Sequence, residues 1–118
     1  MRKKAPKKEF NIVAATGKII KSFRNELGWS QEHLEELSGI NSHSISNIEL
    51  GKSDIRITTL YELVRVLRIP TDRIFYPDKK PDSPARQIIE VELNDCSENE
   101  LKQIYRMIEL VKNLRQGK

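Results

Sequence analysis

The chain of 118 residues is poor in most of what metal, nucleophilic or membrane chemistry requires. It holds one cysteine, Cys96, so no internal disulfide can form and no thiolate spacing suits a metal. A reducing cytoplasm is the expected compartment, and Cys96 reads as an inert small residue or as an element of a helix-hairpin turn. The two histidines, His33 and His43, stand ten residues apart, with no carboxylate or cysteine cluster that makes a metal or nucleophile site of either. Asp78 and Asp82 lie among prolines, where acid/base geometry is poorly held. Neither an enzyme nor a bound cofactor or metal is therefore expected. Long apolar runs are also missing. Ile12 to Ala15 is too short for the core of a secretory leader, and nothing approaches the ~20 residues of a membrane span, so no membrane partner is expected. No internal repeat is visible.

A surplus of charge is absent from most of the chain. Residues 17–76 carry eight basic and eight acidic side chains, and residues 77–118 carry eight of each. The net +4 sits on the first residues, where Arg2, Lys3, Lys4, Lys7 and Lys8 face only Glu9. Such an arm can neutralise phosphates and release counterions. A solubilising tail has the same composition.

Capping residues, glycines and prolines divide the remainder. Asn11 caps a first helix running to Leu27, with Ile12, Thr16, Ile20, Phe23 and Leu27 at inward spacing and Gly28 ending it. Ser30 caps a short second helix, Gln31 to Ser38, that turns Leu34 and Leu37 inward. Gly39 supplies a tight turn. Asn41 then caps a third helix, Ser42 to Leu50, with Ile45 and Ile48 buried and Gly51 as its stop. Two short helices joined at a glycine turn form a helix-turn-helix. A fourth helix is expected over Thr58 to Leu67, with Leu60, Leu63, Val64 and Leu67 as its stripe. Pro70 opens a fifth, one-turn helix through Phe75, with Ile74 inward. Pro77, Pro81 and Pro84, interleaved with charges, mark a linker.

Beyond it, Ser83–Pro84 suits a helix start. Ile89, Val91 and Leu93 alternate with Glu90 and Glu92, which suits a strand, but no partner strand is evident and a helix is expected. Ser97 and Glu100 form a capping box that opens a last helix to about Arg115. There Leu101, Ile104, Ile108 and Val111 make one apolar stripe, Met107, Leu110 and Leu114 a second beside it, and Tyr105 flanks them. Together they cover about 220° of the helix, where about 100° suffices against one neighbour. The expected occupant is a second copy, with Leu101, Ile104, Met107, Ile108, Val111 and Leu114 as the dimer interface. Homodimerisation would also add buried area to a small core.

From Gly17 to Phe75 the chain resembles the XRE family of helix-turn-helix regulators, which includes the lambda-type phage repressors. The matching positions are Gly17, Ile20 and Arg24; Ser30, Gln31, Glu32 and Leu34; Gly39 and Ile40; Ile45, Ile48, Glu49, Gly51 and Lys52; and Leu60, Leu67 and Ile69. The resemblance covers about half the chain and is specific, because caps, glycines and apolar positions fall at the family's spacing together. It implies an all-α fold: a five-helix lambda-repressor-like DNA-binding domain, followed here by a C-terminal helical dimerisation segment. The expected division is a basic arm over 1–10, the DNA-binding domain over 11–76, a linker over 77–83 and the dimerisation segment over 84–118. A protease domain of the kind that some phage repressors carry is not expected. Three positions depart from the family pattern: Glu35 stands where alanine is usual and faces the third helix, Ile55 where proline is frequent, and Arg56 where a capping serine is frequent, which leaves Thr58 as the cap of the fourth helix.

The third helix offers Ser42, His43, Ser44 and Asn47 at its start and on one outer face. These short side chains donate and accept hydrogen bonds, and the major groove admits one helix and displays a distinct pattern for each base pair. Asn47 suits an adenine edge, and His43 a guanine or a phosphate. Composition alone would equally describe a solvated face; the resemblance implies base reading at these positions. For phosphate contact, Gln31 opens the second helix, where free N–H groups and the dipole favour an anion, and the family's matching glutamine touches the backbone. Lys52, Ser53 and Arg56 follow the reading helix and are expected to meet the other strand's phosphates. Because the domain itself is neutral, Lys3, Lys4, Lys7 and Lys8 are expected to carry much of the salt-sensitive affinity. Arg24 and Glu49 match a family pair that joins the first and third helices. The expected partners are double-stranded DNA and a second copy. A second reading makes the chain an antitoxin-like module whose last helix meets a regulatory protein partner and whose DNA binding serves autoregulation.

Overall fold

The computed structural model describes residues 10–116, and the arm lysines Lys3, Lys4, Lys7 and Lys8 lie outside them. Among the described residues there are seven helices and no strand: α1 (Ile12–Glu26), α2 (Gln31–Ser38), α3 (Ser42–Glu49), α4 (Ile57–Leu67), α5 (Asp72–Phe75), α6 (Pro84–Leu93) and α7 (Glu98–Gln116). The fold is all-α, as expected. The chain divides between Lys79 and Lys80 into two compact units.

In the first unit each helix begins or ends for a local reason. Asn11 accepts a hydrogen bond from the Ala14 N–H, Ser30 from His33, and Asn41 from both His43 and Ser44, so side chains satisfy first-turn donors that have no helical partner. Between α2 and α3 the chain reverses at Gly39, whose φ of 77° disfavours any side chain. Ser38 tightens that turn, donating to the Leu34 carbonyl at 2.7 Å and accepting from the Ile40 N–H at 3.1 Å. α1 packs on α3, α4 and α5, and α2 packs on α3 and α4. All five helices contribute to one core, formed by Ile20, Leu34, Ile45, Ile48, Leu63, Leu67 and Ile74 together with Ile69 between α4 and α5.

Several inward assignments made from spacing are corrected. Ile12, Leu27 and Leu37 are 44%, 47% and 49% exposed. The buried arc of α1 is Thr16, Gly17, Ile20 and Arg24, because α3 crosses at Gly17. Ile12 therefore lies on the shoulder of that arc, and Leu27 caps a helix that has already ended. α2 is a short helix that buries Leu34 alone. α4 begins at Ile57, one residue before the expected start, and Arg56 rather than Thr58 is its cap position. The Arg56 side chain cannot accept a hydrogen bond, and only its main-chain carbonyl takes the Leu60 N–H, at 2.9 Å. α5 begins at Asp72, later than Pro70, after a turn in which the Pro70 carbonyl accepts from Arg73.

In the second unit, Ser83 accepts from the Arg86 N–H and Pro84 stands at the first helical position of α6, which is helical as expected. Ser97 and Glu100 cap α7 reciprocally: the Ser97 N–H donates to Glu100 Oε1 at 2.8 Å, and the Glu100 N–H donates to Ser97 Oγ at 3.1 Å. Neither helix holds a buried residue. Leu101 and Ile104 are half-buried, whereas Met107, Val111 and Leu114 are more than 60% exposed.

Candidate nucleic-acid interface

α3 is the element with two unlike faces. Ile45 and Ile48 point into the core, and Glu49 is buried beside them. On the other side His43 and Ser44 are exposed, with Ser42 and Asn47 half-buried at their flanks. Among the described residues, no hydrogen bond engages these four side chains, so their donors and acceptors stay available to a ligand. Lys52, Ser53 and Arg56 are all exposed in the segment that follows α3. The Lys52 N–H donates to the Asn47 carbonyl at 2.9 Å, which ties the start of that segment to the last turn of the helix.

α3 is held from below by charge. Arg24 of α1 meets Glu49 in a two-pronged pair, Nε to Oε2 at 2.7 Å and Nη2 to Oε1 at 2.8 Å. The third arm of the guanidinium, Nη1, donates to the Trp29 carbonyl at 2.8 Å. Glu49 raises the Arg24 pKa above its ordinary value through this hydrogen bond, against the opposing effect of burial, so Arg24 remains charged. Matched donors and acceptors in this planar fork are what make a buried charge pair tolerable. The pair is no surface feature: Arg24 is 9% exposed and Glu49 is 7% exposed.

Gln31 has a partner that the sequence reading did not anticipate. Its Nε2 donates to Glu49 Oε1 at 3.0 Å, so its side chain braces α2 against α3. Glu35, one turn later, accepts from the Ser42 N–H at 3.1 Å. The first contact joins residues 18 apart that no local signal links; Glu35 was expected to face the third helix, and its partner there is the Ser42 N–H. Among the described residues no group of three or more potential metal ligands exists, and no helix is long and apolar enough to cross a membrane.

Two short helices crossing at a glycine turn, the second presenting a free polar edge from a five-helix bundle, define a helix-turn-helix domain. Residues 20–74 match the family model described as helix-turn-helix, and the domain they form is of that XRE type. Over 70 residues it is 37% identical to the HTH-type transcriptional regulator PuuR of Escherichia coli (strain K12), a stretch that is 59% of this chain and 38% of the relative. An HTH-type transcriptional regulator of Haemophilus influenzae is 37% identical over 60 residues, covering 51% of this chain and 61% of that one. The chain thus matches well under half of PuuR. Among solved structures, the restriction-modification controller protein C.AhdI from Aeromonas hydrophila superposes with a TM-score of 0.51 at 24% identity, over 56% of this chain and 100% of that one. That likeness is one of fold.

Proposed function

We propose that the protein is a sequence-specific, DNA-binding transcription regulator that represses by occupying a two-half-site operator as a homodimer in the cytoplasm. The observation that carries this reading is the unengaged polar edge of α3, Ser42, His43, Ser44 and Asn47, projecting from a helix whose opposite side is locked into the core. Gln31, Lys52, Ser53 and Arg56 are the proposed phosphate contacts, and Lys3, Lys4, Lys7 and Lys8 add a sequence-independent share. The relatives named as transcriptional regulators support the same reading. Selection of bound sequences from random duplex DNA tests it. The expected result is a symmetric site with half-site centres about 34 Å apart, one helical turn. Absence of any preferred duplex would remove the reading. Replacing Asn47 or His43 by alanine is expected to relax preference at one base pair per half-site, with a loss of ~1–3 kcal/mol on the selected sequence.

Dimerisation is assigned to Leu101, Ile104, Met107, Ile108, Val111 and Leu114 of α7, a stripe of which the last four are exposed. Removal of residues 80–118 is expected to give a monomer in sedimentation. A truncated protein that remained dimeric would move the interface elsewhere. The same exposed stripe favours one second reading, an antitoxin-like module that meets a foreign protein. A full-length chain that is monomeric when pure would favour it.

A further inference from the structure

α2 turns two polar side chains toward α3, one helical turn apart. Gln31 bonds Glu49 at the C-terminal end of α3, and Glu35 bonds the Ser42 N–H at its N-terminal end. Leu34 lies between them in sequence and is fully buried in the cluster that holds Ile45 and Ile48. The reading helix is thus clamped at both ends, seven residues apart, by side chains of one neighbour. Alanine, which the family resemblance makes usual at position 35, could not form the N-terminal clamp.

Its chemistry differs from an ordinary cap. The first N–H groups of a helix point outward without partners and form a ready site for a phosphate. In α3 those of Ser42, His43 and Ser44 all have side-chain acceptors. Asn41 Oδ1 takes His43 at 2.7 Å and Ser44 at 3.3 Å, and Glu35 Oε1 takes Ser42 at 3.1 Å. Asn41 is neutral, whereas Glu35 places a negative charge beside the end of the helix that the DNA-binding reading sends toward the duplex.

Resting on that reading, we propose that Glu35 is a specificity-determining positioning residue. It fixes the N-terminal end of α3 and denies that end to backbone phosphates. A phosphate bound there would hold every sequence alike. With the N–H groups taken and an anion beside them, the duplex gains little from α3 unless base edges match Ser42, His43, Ser44 and Asn47. Glu35 therefore weakens binding to bulk DNA more than binding to the operator.

The test compares full-length wild type, Glu35→Gln and Glu35→Ala for affinity to random-sequence duplex and to the duplex recovered by selection, at low and moderate salt. Hydrogen exchange at the Ser42 amide is followed in the same proteins. Glu35→Gln keeps a carbonyl acceptor and removes the charge. It is expected to keep the Ser42 amide protected and to bind random duplex about threefold tighter per half-site at low salt, an advantage that shrinks as salt screens the charge. Glu35→Ala is expected to speed Ser42 exchange roughly fivefold and to lower the ratio of operator to random affinity. A purely structural role would not move the salt-dependent random affinity of Glu35→Gln. Wild-type random affinity in that variant, beside a wild type that binds DNA, would overturn the role of Glu35 alone. A wild type that binds no duplex would overturn the role and the reading beneath it.

Discussion

Replacing Gly17 by alanine is expected to lower the thermal midpoint of the first unit by 10 °C or more. In an exposed helix interior the same change would stabilise, since glycine is about 1 kcal/mol worse than alanine there. Here a methyl group at position 17 would be driven into the main-chain carbonyl of Ile48 and would stand 3.1 Å from that of Glu49. Neither obstacle can swing aside as a flexible side chain does, because both belong to the backbone of α3. Relief requires α1 and α3 to separate where Ile20 faces Ile45 and Ile48, which opens the centre of the core. Overpacking of this kind costs about 2–4 kcal/mol at its more severe end. A domain of this size loses roughly 4–8 °C for each of those. Calorimetry decides the matter: a midpoint unchanged or raised would mean that the helices do not approach as closely as Gly17 allows. The substitution also bears on function, because displacing α3 moves His43 and Asn47 with it.

How far the sequence could be read depends on how far apart the interacting residues are. Asn11, Ser30, Asn41, Ser83 and Ser97 act as caps through bonds to residues two or three positions away, so each was visible in a short window. The core positions Ile20, Leu34, Ile45, Leu63 and Leu67 were visible from periodicity. Periodicity gives a stripe and not its exposure, however. Ile12, Leu27 and Leu37 sit near the stripe but beyond the crossing helix, and they face water. The start of α4 was hidden because no side chain caps it, whereas its end at Leu67 was legible from the apolar stripe, although Arg68 beyond it takes a left-handed φ of 59° with no glycine there. At the candidate interface the outer polar edge of α3 could be named from helical position, and a base-reading role for it only from the family resemblance. The brace beneath it could not: Gln31 to Glu49 spans 18 residues, and Glu35 to Ser42 spans a reversal of the chain.

Removing the carboxylate of Glu49 is expected to be as damaging as filling Gly17, for the opposite reason. Glu49→Ala creates space and strands a charge. The Arg24 guanidinium would keep only the Trp29 carbonyl as a partner while remaining nine-tenths buried, and Gln31 would lose its acceptor. Breaking a buried pair from one side costs about 3–5 kcal/mol, far above the ~0–1 kcal/mol of an exposed pair. The same physics predicts that the damage is not additive. In the double variant Arg24→Met, Glu49→Leu no charge is left to desolvate, and two apolar side chains occupy the space between α1 and α3. Urea unfolding should therefore place the double variant above Glu49→Ala in stability, within roughly 1–2 kcal/mol of the wild type. Losses that simply summed would mean that Arg24 escapes to solvent when Glu49 is removed. Stability and DNA binding should then part company in the double variant. The bundle would persist, but Gln31 would no longer find Glu49, and the C-terminal end of α3 would lose its polar tie to α2. Affinity for the selected duplex is expected to fall although the fold survives, because a reading helix must be aimed as well as formed.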